Sequence, residues 1–205
     1  VGLQNCVNYD GNYFLGAGIP STNIKVVTTQ YDTGSVTLAN VTNLTELNTA
    51  LADSTKTTIN VAAGTYIGDL TINRSLSLIG AGDTTIINGG VDSNGANVTI
   101  QDLKITNQNP NSGTFYYGVK ASANNALTLE NVTIVVLYYG IRMGKNDPST
   151  SAVITINNSR IKGYAAIHFN GSNDALEVVN TGTVINVSNT SLIGTTSYDN
   201  SGNND

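Results

Sequence analysis

Three short strings hold the residue types best suited to chemistry: Tyr116-Tyr-Gly-Val-Lys120, Tyr138-Tyr-Gly-Ile-Arg142 and Tyr164-Ala-Ala-Ile-His168. In each, a Tyr stands four residues before a basic side chain. Stacked as neighbouring strands, they would make Lys120, Arg142 and His168 a column of cations about 5 Å apart, with Tyr116, Tyr138 and Tyr164 beside it. Tyr faces pack on pyranose rings and cations pair with carboxylates, so the column suits an acidic polysaccharide. The same side chains equally suit a solvated sheet face, because long basic stems lie on a surface without any ligand.

Other chemistries are poorly served. His168 is the one His, which excludes a His-based metal site or triad, and the one Cys, Cys6, excludes an internal disulfide or a thiolate cluster. No metal site is expected. A glycosidase needs two carboxylates within roughly 5 to 10 Å, yet Glu130 aligns with Gln101, Asn157 and Ser188 in the repeat described below. Asp147 and Asp174 fall in loops and form no cluster, and Asp199 to Asp205 reads as a polar tail.

Composition narrows the class further. Lys and Arg number 9 against 14 Asp and Glu, charged residues are 11% of the chain, and the net charge is −5, so no phosphate-tracking surface and no nucleic-acid partner are expected. No apolar run is long enough to span a bilayer. The 29 Asn, 27 Thr and 21 Gly favour β-structure punctuated by turns, since Asn and Gly accept left-handed backbone and Thr fits a pleated surface. Asn-x-Ser/Thr sequons begin at Asn40, Asn43, Asn73, Asn97, Asn131, Asn157, Asn170, Asn186 and Asn189. With a start at Val1 that suits a removed signal peptide, they point to an extracellular or cell-surface glycoprotein.

The elements that would position these residues come from a repeat. Val98-Thr-Ile-Gln-Asp-Leu-Lys-Ile105, Leu127-Thr-Leu-Glu-Asn-Val-Thr-Ile134, Ile154-Thr-Ile-Asn-Asn-Ser-Arg-Ile161 and Ile185-Asn-Val-Ser-Asn-Thr-Ser-Leu192 align without a gap, with starts 29, 27 and 31 residues apart. Each reads as strand, tight turn, strand. The turn residue is Asp102, Asn131, Asn158 and Asn189 in succession, which predicts a ladder of Asx side chains in left-handed backbone. The Tyr-bearing strings supply a third strand per repeat. Three short strands per repeat make one rung of a parallel coil, and residues 57–194 hold about five rungs, a rod of roughly 25 Å. The expected class is therefore all-β.

At the start, Asn43-Leu-Thr-Glu46 reads as an N-cap with a capping box, and Leu44, Leu47 and Leu51 share a helical face, so residues 41–56 should form a short helix over the first rung. With Thr58-Ile-Asn-Val-Ala-Ala-Gly-Thr-Tyr66, Leu70-Thr-Ile72, Leu76-Ser-Leu-Ile-Gly-Ala-Gly82 and Thr85-Ile-Ile-Asn-Gly89, this opening resembles the right-handed, single-stranded parallel β-helices of the pectate-lyase-like superfamily, over residues 43–194. Residues 1–40 lie outside the repeat as a strand-rich N-terminal extension, with a hairpin expected where Ile24 to Thr29 and Ser35 to Leu38 flank Tyr31 to Gly34. Residues 195–205 form the polar C-terminal tail.

The resemblance implies fold more than activity, since lyases, esterases, tailspikes and adhesins share it. Alginate-type and chondroitin-type lyases of the superfamily use a Lys base and an Arg acid on adjacent rungs. By that resemblance Lys120 would take the C5 proton of a uronate and Arg142 would protonate the leaving oxygen. They also use a cation, typically Ca²⁺, held just upstream of the Lys, where this chain has Gly113 to Tyr116. The expected function is that of a non-enzymatic, self-assembling subunit of a surface filament or layer, with no cofactor. Its copies should meet head to tail, with Val1 to Leu15 and Ile24 to Leu38 as donor elements. The alternative is a carbohydrate-binding or lyase-like module.

Overall fold

The structure, a computed structural model, describes residues 7–9, 12–14, 37–95, 97–107, 117–121, 126–143, 152–169 and 183–195. The chain divides into two units, Val1–Ser35 and Val36–Asp205. In the first, β1 (Val7–Tyr9) and β2 (Asn12–Phe14) pair antiparallel, with Val7 opposite Phe14. The hairpin expected from Ile24 onward lies outside the described residues up to Val36. Its last residue, Leu38, instead opens a strand of the second unit.

That unit begins with β3 (Leu38–Val41) and α1 (Leu44–Ala52). Nine strands follow in short steps: β4 (Thr58–Val61), β5 (Gly64–Ile67), β6 (Leu70–Ile72), β7 (Leu76–Ile79), β8 (Thr85–Asn88), β9 (Val91–Ser93), β10 (Asn97–Asn107), β11 (Tyr117–Ala121) and β12 (Ala126–Val136). The rest are β13 (Tyr139–Met143), β14 (Val153–Asn157), β15 (Arg160–Gly163), β16 (Ala165–Phe169), β17 (Val184–Ser188) and β18 (Ser191–Gly194). A division at residue 40 cuts through β3, which pairs in parallel with β4, so the sheet begins before the helix rather than after it.

From β4 onward, strands that follow one another in the chain do not pair. Each pairs in parallel with a strand one repeat away, giving the stacks β3–β4–β7–β10–β12–β14–β17 and β6–β9–β11–β13–β16. The second halves of β10 and β12 bridge β8 and β15, extending a third row from β5 to β18. The register puts Val98 beside Leu127, then Ile154, then Ile185. Alternation makes the core: Ile59, Leu78, Ile100, Leu129 and Ile156 form one column, each fully buried. Branched aliphatic side chains repeated every second residue fill the interior, and Thr, Asn and Gln take the outward positions.

Asp102, Asn131, Asn158 and Asn189 all have positive φ, at 52°, 54°, 50° and 43°. Asn131 Nδ2 donates to Asp102 Oδ1 at 2.5 Å and Asn189 Nδ2 to Asn158 Oδ1 at 2.7 Å. Between these pairs the ladder shifts sideways, because Asn158 Nδ2 donates to Glu130 Oε1 at 2.6 Å.

Asn43 caps α1, its Oδ1 accepting the Glu46 N–H at 2.9 Å. The Glu46 carboxylate reaches one residue further back than the usual box, accepting from the N–H and Oγ1 of Thr42. Leu47 and Ala50 are buried, Leu44 and Leu51 half-buried, and the helix packs on β3, β4 and β6. At the other end, β17 and β18 are mostly exposed.

Candidate functional site

The column of basic residues sits on the outer face of the β6–β16 stack. Pairing places Thr71, Asp92, Lys120, Arg142 and His168 side by side on five successive strands. Asp92 was not foreseen, because three residues of β9 are too short to show the pattern. It pairs with Lys120: the side-chain nitrogen lies 3.0 Å from Asp92 Oδ1 and donates to Oδ2 at 3.3 Å. The column therefore includes an anion that holds Lys120 Nζ from the neighbouring strand.

The aromatic partners are also one residue away from those expected. Arg142 holds its guanidinium carbon 5.7 Å from the centre of the Tyr117 ring, and His168 stacks on Tyr139 with centroids 3.8 Å apart. In both cases a basic group covers the Tyr of the preceding layer. Tyr138 meets Tyr139 edge-on at 6.5 Å, Tyr164 is 44% exposed, and Tyr116 lies outside the described residues.

A glycine in each of the first two strings, Gly118 and Gly140, causes the one-residue offset. A Cβ on Gly118 would stand 2.5 Å from Ile134 Cγ2 and 2.8 Å from the Gly140 carbonyl oxygen, and one on Gly140 would meet Ile161 Cγ2 and the Ala166 oxygen. Both glycines therefore face the core, as do Val119 and Ile141 after them. Two inward residues in a row break the alternation, which brings Tyr117 beneath Arg142. Ala166 takes this position in β16, above which no further strand of the stack lies among the described residues.

Electrostatically the column runs from one anion, Asp92, through two cations to His168. Burial, and then the Asp92 charge, push the Tyr117 phenol far above its ordinary range, so it stays protonated. Burial, and then the Arg142 charge, hold the His168 imidazole below its usual pKa. Among the described residues no group of three or more His, Cys, Asp or Glu could hold a metal ion, and no helix is long and apolar enough to cross a membrane. Asp147 and Asp174 lie outside them. The outward neighbours of Glu130 are Gln101 and Asn157, which leaves it without an adjacent carboxylate in its column.

Most sequon side chains in the described residues hold the fold. Asn131 and Asn189 belong to the turn ladder, Asn43 caps α1, and Asn40, Asn73 and Asn157 accept from Asn60, Asn94 and Ser188. Asn97 and Asn186 are exposed, and Asn170 lies outside the described residues.

Comparison of the chain with protein-family models, with curated proteins and with solved structures gives no match in any of the three. The reading of function therefore rests on the residues themselves.

Proposed function

We propose that the chain folds as a right-handed parallel β-helix of about five rungs and works as a non-enzymatic structural subunit, extracellular or at a cell surface, that associates with copies of itself end to end. One contrast carries the reading. Val187 and Leu192 in the last layer are 45% and 43% exposed, whereas Ile156 and Ile161, their neighbours one layer in, are fully buried. An edge of this kind is a template for another chain. Nine sequons and a low charge suit an outer surface.

The test is molar mass by light scattering across a concentration series. The parent should grow in mass with concentration, and Val187→Lys should hold it at one chain. A parent that stays monomeric throughout would overturn the subunit reading.

The outer column supports a second reading, as a site for acidic polysaccharide, because Lys120 and Arg142 stand on neighbouring strands of one outer face and cations in a row can pair with carboxylates. Calorimetric titration with an oligouronate and with a neutral oligosaccharide of equal length decides it: binding of the first alone, lost in Arg142→Gln, is expected, and equal silence from both rejects it. Appearance of an unsaturated product absorbing in the ultraviolet would instead make the protein a lyase.

A further inference from the structure

The subunit reading leaves open what covers the last layer, and the two ends of the long stack supply an answer. On that reading, we infer that β17 of one copy pairs in parallel with β3 of the next, so that the sheet continues from chain to chain and α1 of the second copy sits over β16 of the first.

The first argument is register. The inward column runs Ala39, Ile59, Leu78, Ile100, Leu129, Ile156, Val187, and the outward column beside it runs Asn40, Asn60, Ile79, Gln101, Glu130, Asn157, Ser188. β3 and β17 are the two outer strands of this path and run in the same direction. Translating a second copy along the seven-strand path until its β3 lies one layer beyond β17 sets its Ala39 on Val187 and its Asn40 on Ser188, with no change of phase.

Hydrogen-bond polarity agrees. At both ends of the outward column the later layer's side chain donates to the earlier one: Asn60 Nδ2 to Asn40 Oδ1 at 3.1 Å, and Ser188 Oγ to Asn157 Oδ1 at 2.7 Å. The column therefore ends on a Ser188 oxygen able to accept and begins on an Asn40 amide able to donate. A second copy placed on β17 is the later layer, and its Asn40 Nδ2 would donate to Ser188 Oγ in the same sense.

Shape and charge also fit. A groove of about 310 Å³ runs along β3 beside α1, walled by Ala39, Val41 and Ala50 and rimmed by Glu46, Asp53 and Lys56. A helix is about two strand layers thick, so α1 stands beyond β3. At the far end β17 and β18 rise one layer above β16, and among the described residues no strand fills that step. In the last two layers the described Asp, Glu, Lys and Arg residues are Arg160 and Lys162 alone, both cationic, while the groove at the helix end carries Glu46 and Asp53 with Lys56. Leu38, at 46% exposure, and Val187 and Leu192 would be covered together. A contact between unlike ends does not close on itself, so the product is an open filament.

Two single variants in a Cys6→Ser background test the seam: Ser188→Cys and Asn40→Cys. Opposed residues on neighbouring parallel strands lie within disulfide reach. Mixing the two under mild oxidation should give a covalent dimer that neither gives alone, and Thr128→Cys mixed with Asn40→Cys should give none. Hydrogen exchange on the unsubstituted protein is the second measurement, with protection rising with concentration at Leu38–Val41 and Val184–Ser188 together. Growth in mass without the cross-link and without paired protection would overturn the seam and leave the subunit reading standing. A monomer at every concentration would overturn both.

Discussion

The imidazole of His168 lies flat on the ring of Tyr139, centroids 3.8 Å apart and planes 8° from parallel. The pair spans two strands, β16 and β13, and sits beside the Arg142 guanidinium, which is opposite His168 in the register. Burial and that cation both oppose a charge on the ring, so the folded protein favours the neutral imidazole.

With one His in the chain, proton NMR of the imidazole reports this site alone. Its midpoint should fall below the ordinary value of about 6.5. Because the folded pKa is depressed, the folded state binds fewer protons than the unfolded one in the window between the two values. Stability is then full above the unfolded pKa and declines as pH falls through the folded one. His168→Phe should keep the stack and flatten that decline in thermal melts. A midpoint at or above the ordinary value would refute the account, and so would a decline unchanged in the variant.

Gly140→Ala should disturb the column from behind. The new methyl would press on Ile161 and the Ala166 oxygen, both part of the packed interior or its backbone. Overpacking of this kind costs about 1–3 kcal/mol. Denaturant unfolding should show the loss, and it should be larger than for Ala166→Gly, which only removes a methyl. Equal midpoints for parent and Gly140→Ala would show that the glycine is not required.

Substitutions at the turn ladder separate backbone from side chain. Asn131 combines a φ of 54° with its bond to Asp102. Asn131→Gly keeps the conformation and forfeits one hydrogen bond, about 1 kcal/mol. Asn131→Val also forces a β-branched residue into left-handed backbone, adding about 1–2 kcal/mol. The order parent, Gly, Val in denaturant midpoint is expected, and a Val variant as stable as the Gly one would contradict it.

Much of this was legible in the residues. Ungapped strings beginning at Val98, Leu127, Ile154 and Ile185 gave the pairing register, because stacked parallel strands must repeat their inward side chains in phase. Lys120, Arg142 and His168 were aligned for the same reason. What escaped was local. Counting back in twos from Lys120 sets Gly118 and Tyr116 outside, and only the crowding of a Cβ at Gly118 against Ile134 reveals the break in phase that selects Tyr117. Asp92 was hidden in a three-residue strand, and β3 in a segment with no copy of the repeat before it.

Arg74 was hidden too, for its role depends on distance in sequence. The last turn of α1 contains no basic residue to offset its carbonyls. Arg74 supplies the donors from across the first layers: Nη2 to Ala50 O at 3.0 Å, Nε to Leu51 O at 3.4 Å, and Nη1 to the Lys56 carbonyl. A planar guanidinium spreads its fixed donors over carbonyls set apart, whereas an ammonium offers its three donors from a single point. Arg74→Met keeps the stem and should cost about 1.5–3 kcal/mol, the usual worth of a hydrogen bond to a charged group. Arg74→Lys should recover only part of it. Amide exchange should quicken over Leu44–Ala52 while Ile100 and Leu129 keep their protection, since the core column does not depend on the helix end. Uniform loss across both regions would mean that Arg74 supports the whole stack, and no loss in either would mean that α1 is held by Leu47 and Ala50 alone.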